Sequence, residues 1–241
     1  MKSTAKALLA LLALMLFIGA AAAQKDKPWT EWTKKDVEKM LNDSAWGQTQ
    51  IDTDTSEMTW STAPRPIDGK GAINQATSVN YYIRFVSAKP IRQAYARLAE
   101  LDPSSNTPQQ LKAARDFIDD RRFEQIVSVA VDCQTKDGRY YGPAFQALSS
   151  AITSTLRNNT FLELKGGKRV FLQEYQPPAV GGIGAIFSFP RLVDGKPILE
   201  SKSGDIRFYS LFPNKMTDGT LLELNMRFKV DKMVYFGVLE Y

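Results

Sequence analysis

"TFLELKGGKRVFLQEY", Thr160–Tyr175, decides how this chain folds. Apolar residues alternate on both sides of Gly166-Gly167, the period of a half-buried strand, and paired glycines supply the positive φ angles of a tight turn. The stretch reads as a β-hairpin closed by a two-residue turn. Such a turn sets Lys165 opposite Lys168, beside Arg169. Like charges directly opposed across strands are mildly unfavourable, which makes the tip a candidate surface for an anionic partner. The plainer reading is that lysines keep a hairpin end soluble.

Period two continues toward the C-terminus. "IFSFPRLVDGKPIL" (186–199) is a second hairpin, turning near Asp194-Gly195. "DIRFYSLF" (205–212) and "TLLELNMRFKV" (220–230) keep the alternation, and "KMVYFGVLEY" (232–241) ends the chain as a strand.

Upstream the pattern mixes helical and strand periods. Thr33-x-x-Asp36 has capping-box spacing for a helix over 33–43, with Trp32 and Val37 at the two positions of a hydrophobic staple. "GQTQIDTDTSEMTW" (47–60) suits an exposed strand, and residues 62–77 read as a mobile loop. In "SVNYYIRFVS" (78–87), Val79, Tyr81, Ile83 and Phe85 alternate onto one face. Ile91, Ala94, Tyr95 and Leu98 mark a helix, and Thr107-Pro108 opens another. "FEQIVSVAVDC" (123–133) is a β-branched strand, and Phe145, Leu148 and Ile152 mark a helix over about 143–157. The predicted fold is α+β: a mainly antiparallel sheet of C-terminal hairpins, with three or four helices, mostly from the N-terminal half, packed on one face.

Lys2 and Lys6 precede the uncharged run Ala7–Ala23, which is short for a roughly 20-residue membrane span and ends in an A-x-A pattern. The expectation is a leader of residues 1–23 cleaved between Ala23 and Gln24, export by the general route, and no membrane span afterwards. Cleavage would leave 24–241 as one domain, with 29 basic residues against 26 acidic, a net charge of +3. With the basic residues scattered, this is too mild to imply nucleic acid.

Several chemistries are closed. The chain has no histidine and one cysteine, Cys133, so Ser-His-Asp and Cys-His machinery and an internal disulfide are excluded. Cys133 lies in phase with Val127, Val129 and Val131 and is read as a core thiol. "DTDTSE" starts like a calcium loop, but Glu57 and Ala63 stand where glycine and a bidentate acid are needed. "VGGIGAIF" (180–187) is preceded by Pro177-Pro178, which suits a turn and not a nucleotide-binding strand–helix unit. No metal, cofactor or catalytic residue is assigned. Trp32 and Trp46 are read as packing, while Trp29, outside the helix, joins Lys165, Lys168 and Arg169 as a candidate partner-binding residue.

"WTEWTKKDVEKMLNDSAWGQTQ", "RFVSAKPIRQAYARL", "FSFPRLVDGKPIL" and "MRFKVDKMVYFGVLEY" together resemble a group of short exported proteins from environmental bacteria. The group has no assigned activity, so the resemblance implies export and single-domain organisation and brings no site residues. The functional expectation is a non-catalytic envelope or secreted module that binds a protein or polymer. The alternatives are a structural oligomer subunit and a carboxylate-dependent hydrolase acting on polysaccharide.

Overall fold

A computed structural model describes residues 27–54, 77–135, 138–179, 181–215 and 221–241. The leader, the Ala23–Gln24 junction and the loop expected before Thr77 lie outside the described residues. Helix α1 (Lys34–Asn42) starts at the expected capping box: the Asp36 N–H donates to Thr33 Oγ1 at 3.3 Å, and the Thr33 N–H donates to Asp36 Oδ2 at 2.8 Å. Trp32 and Val37 are both buried in the core, as a staple requires. Strands β1 (Gly47–Asp54) and β2 (Thr77–Phe85) follow, then α2 (Lys89–Leu101) and α3 (Pro108–Asp116), the last capped by Thr107 and Gln110.

After β3 (Ile126–Thr135), the helix expected over 143–157 is two pieces, α4 (Gly138–Ser150) and α5 (Thr153–Leu156). Pro143 lies inside α4, where it removes one intrahelical hydrogen bond without ending the helix. The break comes instead at Ile152, whose φ of −132° and ψ of 160° are extended.

The remaining strands are β4 (Thr160–Glu163), β5 (Arg169–Phe171), β6 (Glu174–Gln176), β7 (Ala185–Pro190), β8 (Leu192–Val193), β9 (Lys196–Pro197), β10 (Asp205–Lys215), β11 (Leu221–Lys229), β12 (Val234–Tyr235) and β13 (Val238–Leu239). Every pairing among the described residues is antiparallel, and the fold is α+β, with the helices mostly in the N-terminal half and strands along the whole chain.

In place of one main sheet there are two, ordered β1-β2-β3-β7-β6 and β11-β10-β4-β5, plus the ribbons β8-β9 and β12-β13. They face each other across aromatic side chains. Phe187 of β7 meets Phe208 of β10 at 5.2 Å between ring centroids, and Phe85 of β2 meets Phe228 of β11 at 4.8 Å. Period two reveals which residues share a face but not which strand they pair with, so the division into sheets has no local signal.

Two turns also differ from expectation. Asp194 and Gly195 do turn with positive φ, but they join strands of only two residues, while β7 pairs with β3 and β6. The C-terminus is a ribbon and not a single strand, turned at Phe236 and Gly237 with φ of 47° and 80°.

Polar side chains fasten these layers. Arg84 reaches from β2 to the end of α1, donating from Nε to the Leu41 carbonyl at 3.0 Å and from Nη2 to Asn42 Oδ1 at 2.8 Å, while Nη1 donates to Tyr95 Oη of α2 at 3.0 Å. It thereby satisfies acceptors that the last turn of a helix leaves open. Trp46 donates from Nε1 to the Glu240 carbonyl at 2.8 Å, so its indole ties the N-terminal segment to the chain's end. Among the described residues no helix is long and apolar enough to cross a membrane.

Candidate binding face on the four-stranded sheet

The inner side chains of β4, β5, β10 and β11 (Leu162, Val170, Phe208, Leu224) are buried in the core, so the alternate residues form the outer face. Register aligns that face into two rows running across the strands. One row is Phe171, Phe161, Tyr209 and Asn225; the next is Arg169, Glu163, Arg207 and Arg227.

The rows interlock. Phe161 is only 5 % exposed, yet it stands outside the main core cluster: its neighbours on the surface cover it. Tyr209 stacks on it at 5.0 Å with 22° between planes, and the Arg169 guanidinium lies 4.2 Å from its ring centroid. Arg207 lies 5.0 Å from the Tyr209 ring centroid. Each such contact holds a guanidinium in one orientation and contributes about 0.5–1 kcal/mol at an exposed site. Phe171 remains 47 % exposed at the sheet's edge.

Charge on the second row is unbalanced. Glu163 accepts from Arg169 Nε at 3.2 Å and lies 3.7 Å from Arg207 Nη1, so one carboxylate serves two cations. Arg207 also donates from Nε to Asn225 Oδ1 at 2.7 Å. Arg227, directly opposite Arg207, is exposed and has no acidic partner among the described residues. A cleft of about 450 Å³ opens here, lined by Glu163, Lys165, Asp205, Arg207, Arg227 and the backbone of Gly166, Gly167 and Gly204.

The hairpin tip is built differently from the two-residue turn expected. The Leu164 N–H donates to the Lys168 carbonyl at 2.8 Å and the Gly167 N–H to the Leu164 carbonyl at 3.0 Å, which makes residues 165–167 a three-residue loop. Gly166 and Gly167 both carry positive φ within that loop. Lys168 therefore opposes Leu164, not Lys165, and Arg169 opposes Glu163. The like-charge confrontation lies one strand away, between Arg207 and Arg227. Alternation in "DIRFYSLF" and "LLELNMRFKV" marks both as outward-facing, but only the register makes them neighbours. Lys165 joins them through the cleft, its stem lying over Gly204, where an added Cβ would stand 3.4 Å from Lys165 Cδ.

Trp29 sits in a 3-10 turn, Trp29–Glu31, half-buried against the core. Trp32 and Trp46 are core residues, each 6 % exposed.

Other titratable groups frame the choice of face. Cys133 is buried, and its burial, with Asp132 beside it, pushes the thiol up to about 12, which keeps it protonated and unreactive. Asp52 of β1 has its carboxyl raised by burial and then by Glu223, against a hydrogen bond from Gln50 Nε2 at 3.0 Å. Gln50 itself bridges the two sheets: Nε2 donates to the Glu223 carbonyl at 2.7 Å, and Oε1 accepts from the Asn225 N–H at 2.8 Å. Among the described residues no three Cys, Asp or Glu side chains are grouped to hold a metal ion. The chain matches no protein-family model, no curated protein and no solved structure.

Proposed function

We propose that this chain is a non-catalytic binding module that takes an anionic polymer on the outer face of the β11-β10-β4-β5 sheet, in the envelope or outside the cell where its leader directs it. The observation that carries this reading is the Arg207–Arg227 pair: the two are cross-strand neighbours on the outer face, and the only ion pair either makes among the described residues is that of Arg207 with Glu163, already shared with Arg169. An anion laid along that row relieves the repulsion. Arg207 is oriented in advance by stacking on Tyr209 and by Asn225, so it loses little side-chain entropy on binding.

Single-stranded nucleic acid fits this face poorly. It binds by stacking bases on open aromatic faces, and Phe161 has Tyr209 on one side and Arg169 close over the ring. A polymer whose charges are carboxylate or sulfate groups needs only the cation row and the apolar edge at Phe171.

The test is affinity electrophoresis of residues 24–241 through gels containing a polyuronate, a sulfated glycan, polyphosphate or a neutral glucan. Retardation by an acidic polymer, weakened by salt and by Arg207→Gln or Arg227→Gln, is expected. Equal migration in all four gels at low ionic strength overturns the proposal.

A second reading rests on Asp52. Burial, and then the nearby Glu223, raise its carboxyl from the ordinary value, and glycoside hydrolysis uses two acids whose surroundings set their pKa values apart. It predicts slow cleavage of the bound polymer, lost in Asp52→Asn while binding survives.

A further inference from the structure

A second cleft, of about 520 Å³, opens beside the start of α2 and is independent of the sheet face. Its floor holds Arg92, only 6 % exposed. Arg92 Nε donates to the Ile118 carbonyl at 2.8 Å, Nη1 donates to the carbonyls of Val86 and Ser87, and the guanidinium lies 4.6 Å from the Phe123 ring centroid. Nη2 has no hydrogen bond to another described residue, and no buried side-chain nitrogen or oxygen among them lacks a partner, so Nη2 faces the cleft's solvent.

Arg191 lines the same cleft. Its Nη1 donates to the carbonyls of Phe123 and Tyr241, and its guanidinium lies 4.0 Å from the Tyr241 ring centroid. Among the described residues neither arginine makes an ion pair with an Asp or Glu side chain. Main-chain oxygens fix the direction of both, while Glu240, Asp119 and Asp120 act on the Arg92 charge from beyond ion-pair distance.

The rim is acidic. Asp119 is taken by Lys89 Nζ at 2.8 Å and Asp120 by Arg122 at 2.7 Å. Glu240 uses one oxygen to accept the Lys89 N–H at 3.0 Å, and Glu124 makes only a 3.5 Å contact with Arg121 in which both side chains are exposed. A simple anion entering here meets these carboxylates as well as the arginines. A ligand carrying both charges satisfies both sets.

We propose that this cleft binds a free α-amino acid, its carboxylate on Arg92 and Arg191 and its ammonium on Glu240 and Glu124. The volume lies within the roughly 300–1,000 Å³ of small-molecule sites and leaves room for a side chain.

The test is titration calorimetry of residues 24–241 with a panel of neutral amino acids, against acetate, methylamine and inorganic phosphate. At least one amino acid should bind roughly tenfold more tightly than acetate or methylamine, as expected when a second charge-assisted contact is added. Glu124→Gln, on the exposed rim, should weaken it while leaving the fold intact, and Arg191→Gln should abolish it. Acetate or phosphate binding as tightly as any amino acid would overturn the proposal, as would no heat from the whole panel with the unmodified chain. Because the sheet face is not involved, loss of polymer binding in Arg227→Gln should leave this titration unchanged.

Discussion

Arg227 of β11 stands directly across from Arg207 of β10, and the two share no carboxylate between them. A pair that opposes folding and sits on an open face separates stability from binding. Arg227→Gln should therefore raise stability slightly, by no more than the roughly 0.2–1 kcal/mol that favourable cross-strand pairs contribute. The same change should weaken polymer binding. Thermal melts beside affinity electrophoresis check this, and a variant that loses stability together with binding would assign Arg227 to packing.

Gln50 acts as a piece of backbone between the sheets, its carboxamide bonding the free edge of β11 at Glu223 and Asn225. Gln50→Ala removes two hydrogen bonds across a partly solvated seam and a third to Asp52, with an expected cost of about 1–2 kcal/mol. Hydrogen exchange should quicken at the Asn225 amide first, since that donor loses its acceptor. Unchanged protection there would show that the edge does not depend on Gln50.

Close backbone packing, not turn geometry alone, fixes Gly184. Its φ is +102°, and an added Cβ would lie 2.3 Å from the Val131 carbonyl oxygen of β3. Gly184→Ala therefore combines backbone strain with overpacking and should destabilise by about 3 kcal/mol. Gly195, also at positive φ but with open space around it, should tolerate alanine better. Paired denaturant titrations decide this, and equal losses at both positions would contradict it.

These cases show which features the sequence displays and which it hides. The Thr33–Asp36 box, the Thr107 cap, the alternating Tyr81–Ile83–Phe85 face and the buried Cys133 are local patterns, each written within a few residues. The anchoring roles of Arg84 and Arg92 carry no local signal, because Leu41, Asn42 and Ile118, which help to hold them, are distant in sequence. The Phe236-Gly237 turn hides because phenylalanine gives no signal for positive φ. The hairpin tip read from the sequence lies on the same sheet as the candidate face and shares Arg169 with it. The pairing of Arg207 with Arg227 needed the register of β10 on β11, a long-range property.

The α1 capping box carries a pH dependence of known sign. Hydrogen bonds from the Thr33 backbone and hydroxyl, then Lys27, lower the Asp36 carboxyl to about 2 from its ordinary 3.8. A depressed value means the contribution is present above the ordinary value and is lost as pH falls from there to about 2. The group is open to solvent, so the effect is at most about 1 kcal/mol. Protection of the Asp36 and Val37 amides, taken relative to their intrinsic exchange, should fall over that acid range, and Asp36→Ala should show the lowered protection already at neutral pH. Protection that does not change with pH in the native chain would contradict the assignment.

Anion binding on the outer face is tested most directly by amide and side-chain NMR shifts of residues 24–241 during titration with a short polyuronate. Saturable shifts are expected along β4, β5, β10 and β11, largest at Arg207, Arg227 and the 165–167 loop and weakened by added salt. Saturable shifts confined elsewhere, or the same shifts on this face with Arg207 and Arg227 both changed to glutamine, would contradict it.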